Sequence, residues 1–175
     1  MSALPQDTAA PARSADLHPP TGGRYAPVPL EALRDLEGID LFRKIMNGEL
    51  PGAPIAELMN MWIFEAAPGR VVFAGRPEMK HYNPIGSVHG GYAGTMLDSC
   101  MSCAVQSMLP KGMGYTTLEY KVSLVRAISH KTGTVYAEGT AIQVGSRVGT
   151  AEGRITDASG KILATGTTTC LIFPI

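Results

Sequence analysis

One short stretch of this chain concentrates residue types that can do chemistry. Asn83-Pro84-Ile85-Gly86-Ser87-Val88-His89 runs into the pair Gly90-Gly91, and Asp98 follows nine residues after His89. The glycine pair reads as the start of a helix whose first N–H groups, on Gly90 and Gly91, lie open. Such a start carries a positive dipole end and suits an anion or a developing oxyanion. Asp98 is a lone carboxylate in an otherwise apolar helical stretch. Its neighbours at i±3 and i±4 are Gly94, Thr95, Met101 and Ser102, none of them basic, so no ion pair along the helix accounts for it. A carboxylate so placed can attack an electrophile or take a proton from water. His89 and Asn83 add hydrogen-bonding groups just before the helix. A serine-nucleophile elbow, Gly-x-Ser-x-Gly, is absent from the sequence.

The elements that position these groups follow from periodicity and turn residues. The helix is expected over about 90–109, ended by Pro110-Lys111-Gly112. At ~100° per residue, Ala93, Leu97, Cys100, Ala104 and Met108 share an apolar face, and Gly91, Gly94, Thr95, Asp98 and Ser102 share a small, polar one. A helix so poor in charge is expected to be buried on most sides. Short helical segments are expected over 29–36, 40–46 and 55–59. Strands are expected over 61–66 and 70–75, joined at Pro68-Gly69, and then over 116–125, 133–144, 147–156 and 161–173. Two strands, one long helix and four strands with hairpin links make an α+β fold. Residues 1–28, rich in Pro, Ala, Ser and Thr, read as a flexible N-terminal arm, and 29–175 as one domain.

Composition narrows the functions further. The chain has 175 residues, 45% hydrophobic and 17% charged, which is enough for a sizeable core and hints at surface buried against another subunit. Fifteen basic and fifteen acidic residues leave no net charge, so neither nucleic acid nor a membrane surface is an expected partner. Neither a membrane span nor a secretory leader is read, and three cysteines make no disulfide framework, so a reduced, cytoplasmic setting is expected. Cys100-Met101-Ser102-Cys103 lies mid-helix and reads as core packing, with no metal site expected. His18, His81 and His130 read as surface residues.

On these residues the sequence resembles the hotdog-fold acyl-CoA thioesterases, in particular the PaaI-like branch of the phenylacetate pathway. The resemblance rests on Asn83 through Gly91 with Asp98, on Thr116-Thr117-Leu118-Glu119-Tyr120-Lys121-Val122-Ser123-Leu124-Val125-Arg126, and on Thr167-Thr168-Thr169-Cys170. It implies a hotdog fold, a curved antiparallel β-sheet wrapped around one long central helix, in subunits that pair into a homodimer or homotetramer. It implies hydrolysis of an acyl-CoA at a site between subunits, with CoA as part of the substrate and no separate cofactor. The family's catalytic carboxylate falls on Asp98, as nucleophile or general base, and its oxyanion donor on the Gly90 N–H. His89 and Asn83 match residues that position the thioester or water. A strand hydroxyl matches Thr117, with Thr116 adjacent and the register between them open. Gly91 adjoins the substrate, and Arg126 and Arg147 are the candidates for CoA contacts.

Two other functions fit the same fold. A hotdog hydratase or dehydratase carries a catalytic His after the Asn-Pro-Ile motif, where this chain has Gly86. A non-catalytic acyl-CoA-binding protein would not need Asp98. The helix face and small strand residues admit an aryl or medium aliphatic acyl group.

Overall fold

The structure, a computed structural model, describes residues 24–175. Most of the expected arm, His18 included, lies outside the described residues. Its last part is tied down: Tyr25 bridges Gly52, the Ala26 N–H donates to the Gly52 carbonyl, and the Arg24 guanidinium donates to the Gly48 carbonyl.

Three short helices come first, α1 (Leu30–Asp35), α2 (Gly38–Met46) and α3 (Pro54–Leu58). The hairpin β1 (Met61–Ala67) and β2 (Arg70–Gly75) follows, turning at Gly69 with φ +77°. The central helix α4 (Gly90–Gln106) leads to β3 (Met113–Leu124), β4 (Val135–Val144), β5 (Val148–Asp157) and β6 (Ile162–Pro174). The strands form one antiparallel sheet in the order β1-β2-β4-β5-β6-β3, so β1 and β3 are its edges. This is the α+β hotdog arrangement.

Helix α4 lies across one face of the sheet, against β2 to β6. Its sheet-facing residues, Ala93, Met96, Leu97, Cys100, Met101, Ala104 and Val105, are nearly inaccessible to solvent. Close approach is bought by small strand residues. A Cβ on Gly139 would lie 2.2 Å from the Cys100 carbonyl oxygen, so the helix backbone rests directly on β4 there. The helix is shorter than expected. Ser107 closes it by donating its N–H to the Cys103 carbonyl, and Met108, read as part of the apolar face, is 49% exposed beyond the end.

Strand β3 carries the feature that sets the site. Thr117 pairs with Cys170 but Glu119 pairs with Thr169, so Leu118 is an extra residue, a β-bulge. Side chains alternate along a strand, and an inserted residue shifts that alternation by one. Tyr115 and Thr117 therefore face α4 before the bulge, and Tyr120 and Leu124 face it afterwards, over Gly94 and Gly90. Without the bulge Glu119 would be driven against the helix.

Candidate active site

The helix start is built by a loop that closes on itself. The Asn83 N–H donates to the Ser87 carbonyl at 2.8 Å. Its side-chain oxygen accepts from the N–H groups of Ile85 (3.1 Å) and Ser87 (3.3 Å), and its Nδ2 donates to Ser87 Oγ (3.1 Å). Such Asx-type bonds are why an Asn starts this turn. The loop then aims Val88 and His89, whose N–H groups donate to the carbonyls of Ile128 and His81.

His89 is the helix cap. Its Nδ1 accepts the Gly91 N–H at 2.8 Å, and its backbone carbonyl accepts the Tyr92 N–H at 2.9 Å. An accepting Nδ1 leaves the proton of the neutral ring on Nε2, the atom available to a ligand. The Gly90 N–H has no acceptor among the described residues. Of the two glycines, only Gly90 keeps an open donor at the positive end of the helix. A cleft of about 220 Å³ adjoins it, lined by Asn83, His89, Gly90, Leu124, Arg126 and Ile128.

Asp98 belongs to a different cleft, of about 510 Å³. It is half-buried, and Thr117 Oγ1 donates to its Oδ1 at 2.9 Å. This settles the register left open in the sequence: Thr117 meets the carboxylate, while Thr116 is exposed at the cleft's edge. Ile55, Ala56, Met61 and Phe73 form its apolar wall, and Ser102 Oγ and Tyr115 Oη lie 3.2 Å apart on the other side. Sequence reading did not single out Tyr115. The signal was its position two residues before Thr117, on the same strand face. Thr117→Val is expected to lower kcat roughly 10- to 150-fold with KM little changed, since a hydrogen bond to a charged group contributes ~1.5–3 kcal/mol.

Burial pushes the Cys103 thiol up to about 12, with the neighbouring Tyr115 hydroxyl opposing the shift. Burial raises the Cys100 thiol strongly as well. These thiols favour the fold up to their ordinary value of 9.0, and that contribution is lost as pH rises from there towards the raised values. At pH 8, iodoacetamide should label Cys100 only slowly until denaturant is added, whereas Cys103 is half-buried at the lining of the Asp98 cleft. Rapid labelling of Cys100 in the native protein would overturn its reading as inert core. Among the described residues no His, Cys, Asp and Glu cluster could hold a metal ion.

The structure does not bring all the expected site residues together. Asn83, His89, Gly90 and Arg126 share the helix-start cleft; Asp98, Thr116 and Thr117 share the other. Gly91 has its N–H taken by His89. Arg126 lies beside the first cleft, where its guanidinium donates to the Ile162 carbonyl. Arg147 is exposed beside Ile172 and Arg126 lies beside Leu163, so their partners on β6 are nine residues apart, roughly 30 Å at ~3.3 Å per residue. His81 is not the plain surface residue expected: it is half-buried, Nδ1 accepting from the Glu78 N–H and Nε2 meeting the Leu58 carbonyl at 3.0 Å. His130 is exposed, as expected, against the Tyr82 hydroxyl.

An antiparallel sheet around one long helix defines the hotdog fold, and here it carries a free helix-start N–H and a mid-helix carboxylate. Comparison with known proteins agrees. Residues 85–164 match the thioesterase superfamily. A Halobacterium salinarum protein, provisionally named an esterase, is 39% identical over 69 residues, 38% of this chain and 44% of its own length, so the match spans under half of that relative. A Ralstonia eutropha structure, named a phenylacetic acid degradation-related protein and provisionally a thioesterase, is 26% identical with a TM-score of 0.68, covering 74% of this chain and 98% of that one. A variant of the phenylacetic acid degradation protein PaaI from Thermus thermophilus (24% identity, TM-score 0.61, covering 67% and 97%) and a thioesterase from Haemophilus influenzae (18%, 0.64, covering 69% and 82%) share the fold. The resemblance to PaaI-like thioesterases therefore stands, and the comparisons support a thioester hydrolase.

Proposed function

We propose that this protein hydrolyses acyl-CoA thioesters to a free acid and CoA, in a site assembled from two copies of the chain. The observation that carries this reading is the separation of the two halves. Asp98 follows His89 by nine positions, so the helix sets them about 13 Å apart along its axis and half a turn apart around it. One chain cannot aim both at one thioester. A second copy lying antiparallel beside it brings Asp98 of one helix to the Gly90 end of the other, twice by symmetry. Strand β3 is an edge strand of twelve residues with Leu118 58% exposed and Tyr120 47% exposed, which supports pairing of copies along it.

In this site the thioester oxygen accepts the Gly90 N–H, and His89 Nε2–H or the remaining Asn83 amide hydrogen orients the thioester or the water. Asp98 attacks the carbonyl carbon or takes a proton from the attacking water. Negative charge gathers on the oxygen, where the Gly90 N–H and the helix dipole stabilise it. The C–S bond then breaks and the CoA thiolate leaves, taking up the proton that water gives up; where Asp98 itself attacked, water then hydrolyses the acyl–Asp98 anhydride, which releases the acid and restores the carboxylate. The Thr117 hydrogen bond holds the carboxylate in place. CoA belongs to the substrate, so no separate cofactor is called for. A hydratase would need a His at the position of Gly86, which instead turns the loop at φ +89°.

Free thiol release from a panel of aryl and aliphatic acyl-CoAs tests the activity; no release from any of them sinks it. The shared site is tested with two crippled variants. Gly90→Pro removes the donor, yet Pro suits the first position of a helix and the extended His89 before it, with the Leu124 side chain having to yield to its Cβ. It should lower kcat ~10²–10³-fold, the usual cost of one oxyanion donor. Mixed and reassembled with Asp98→Asn, it should recover about a quarter of the wild-type rate, because half the dimers are mixed and each holds one intact site. A mixture no more active than its parts would mean that each chain works alone.

A further inference from the structure

The short helix α3 forms walls of two clefts at once. Ile55 and Ala56 line the Asp98 cleft, and Leu58 lines a neighbouring cleft of about 570 Å³ that reaches the helix start at His89 and Gly91. Yet α3 has five residues, Pro54–Leu58, far below the ~12–15 at which a helix holds by itself. It opens on Pro54 with no side-chain cap, Ala56 alone of its residues joins the main core, and Ile55 and Leu58 are exposed. What fastens it is His81. Among the described residues, one hydrogen bond ties residues 54–58 to a distant part of the chain, from the His81 ring to the Leu58 carbonyl at 3.0 Å. The other ring nitrogen sets the tautomer. His81 Nδ1 accepts the Glu78 N–H at 2.9 Å, so the neutral ring carries its hydrogen on Nε2 and donates it to Leu58. The same ring lies against the Tyr92 ring of α4, centroids 4.8 Å apart. The His81 backbone carbonyl meanwhile accepts the His89 N–H at 2.8 Å. One residue thus touches α3, α4 and the cap of the helix start, its ring serving the first two and its backbone the third.

We propose that His81 is a positioning residue for acyl recognition: by fixing α3 through Leu58, it sets the wall against which the acyl group packs. This rests on the acyl-CoA reading above. The chemistry of the Asp98 cleft places the acyl group there. Among its described lining residues Asp98 is the one charged side chain, and the others are apolar or carry a hydroxyl or thiol. The anionic phosphates of CoA are repelled beside a carboxylate. An apolar acyl group is instead stabilised by covering Ile55, Ala56, Met61 and Phe73. Two of those four belong to α3, so a change in where α3 sits changes the fit of the acyl group. The helix-start donor is held separately, through the backbone of His81 and the ring of His89. Loss of the His81 ring therefore weakens binding of the acyl group and leaves the oxyanion donor in place.

His81→Asn and His81→Gln separate the two bonds of the ring. Asparagine can still accept the Glu78 N–H but is too short to reach Leu58, whereas glutamine carries an amide N–H as far out as the imidazole Nε2. Both leave the backbone bond to His89 untouched. The Met59 and Asn60 amides close α3 on the Ile55 and Glu57 carbonyls. In hydrogen exchange they should exchange several-fold faster in His81→Asn and near the wild-type rate in His81→Gln. With the best acyl-CoA of the panel, His81→Asn should raise KM about three- to ten-fold, the factor that one neutral hydrogen bond contributes, with kcat within about two-fold. His81→Gln should recover most of that loss. Unchanged exchange in His81→Asn, or a KM that does not move, overturns the proposal. So does an equal loss of kcat and KM in both variants, which would leave His81 a merely structural residue. A wild type that releases no thiol from any acyl-CoA sinks the thioesterase reading itself, and the acyl role of α3 with it; a wild type that hydrolyses while KM in His81→Asn stays put sinks this inference alone.

Discussion

Asp98→Asn should lower kcat for thiol release by about 10³–10⁴-fold while KM stays within a few-fold of wild type. The substitution keeps the shape of the side chain and keeps an oxygen that can accept the Thr117 hydroxyl, now 2.9 Å from Oδ1. What it removes is the negative charge, and with it both the nucleophile and the base. General-base catalysis alone contributes ~10²–10⁴-fold, and a lost nucleophile costs more. Because Asp98 is half-buried and in no ion pair among the described residues, the thermal midpoint should hardly move. Steady-state thiol release with the best substrate of the panel reads the effect, and thermal unfolding reads the control. Activity retained within ten-fold would take Asp98 out of the chemistry and leave the helix start acting on water alone.

The largest effect on stability is expected at Gly139→Ala. The new Cβ would fall 2.2 Å from the Cys100 carbonyl oxygen, 2.3 Å from its carbon and 2.6 Å from the Met101 nitrogen. All three are backbone atoms of α4, so no side chain can swing aside. The helix must lift from β4 by about an ångström, opening voids under Leu97, Cys100 and Met101, which are wholly buried. Overpacking costs ~1–3 kcal/mol where side chains can yield, so ~3 kcal/mol or more is expected, about 6–12 °C in Tm for a chain of this size. Gly94→Ala on the same helix is the control. Its Cβ would meet the Tyr120 ring at an ordinary 3.6–3.7 Å, and alanine favours the helix. Denaturant titrations of both variants decide the matter, and equal stability of the two would refute the close-contact account.

Much of the architecture was legible in the residue order. The change from helical to alternating periodicity at Met61, the turn residues, and the charge-poor run after Gly90 placed every strand and the central helix within a few residues. These signals are local, and hydrogen-bond closure within helices and hairpins is local too. The sequence extends the helix to about Leu109 because Ser107 and Met108 continue its composition, whereas Ser107 already closes it in the fold. His81 reads as a surface residue in the sequence because its partners, on Glu78 and Leu58, are a backbone N–H and a carbonyl, which leave no mark there.

The sequence by itself determined the chemical inventory: a helix start opened by Gly90, a cap at His89, one carboxylate at Asp98 and a hydroxyl near Thr117. Tertiary structure decided how these are shared out. The bulge at Leu118 chose Thr117 over Thr116, since an inserted residue reverses strand alternation without any signature in residue type. The loop at Asn83 took most of its amide into the backbone. The rigid rise and rotation of α4 put His89 and Asp98 on opposite sides, in two clefts of one chain. Spacing along a chain is fixed by its covalent order, but which groups converge depends on how distant segments pack.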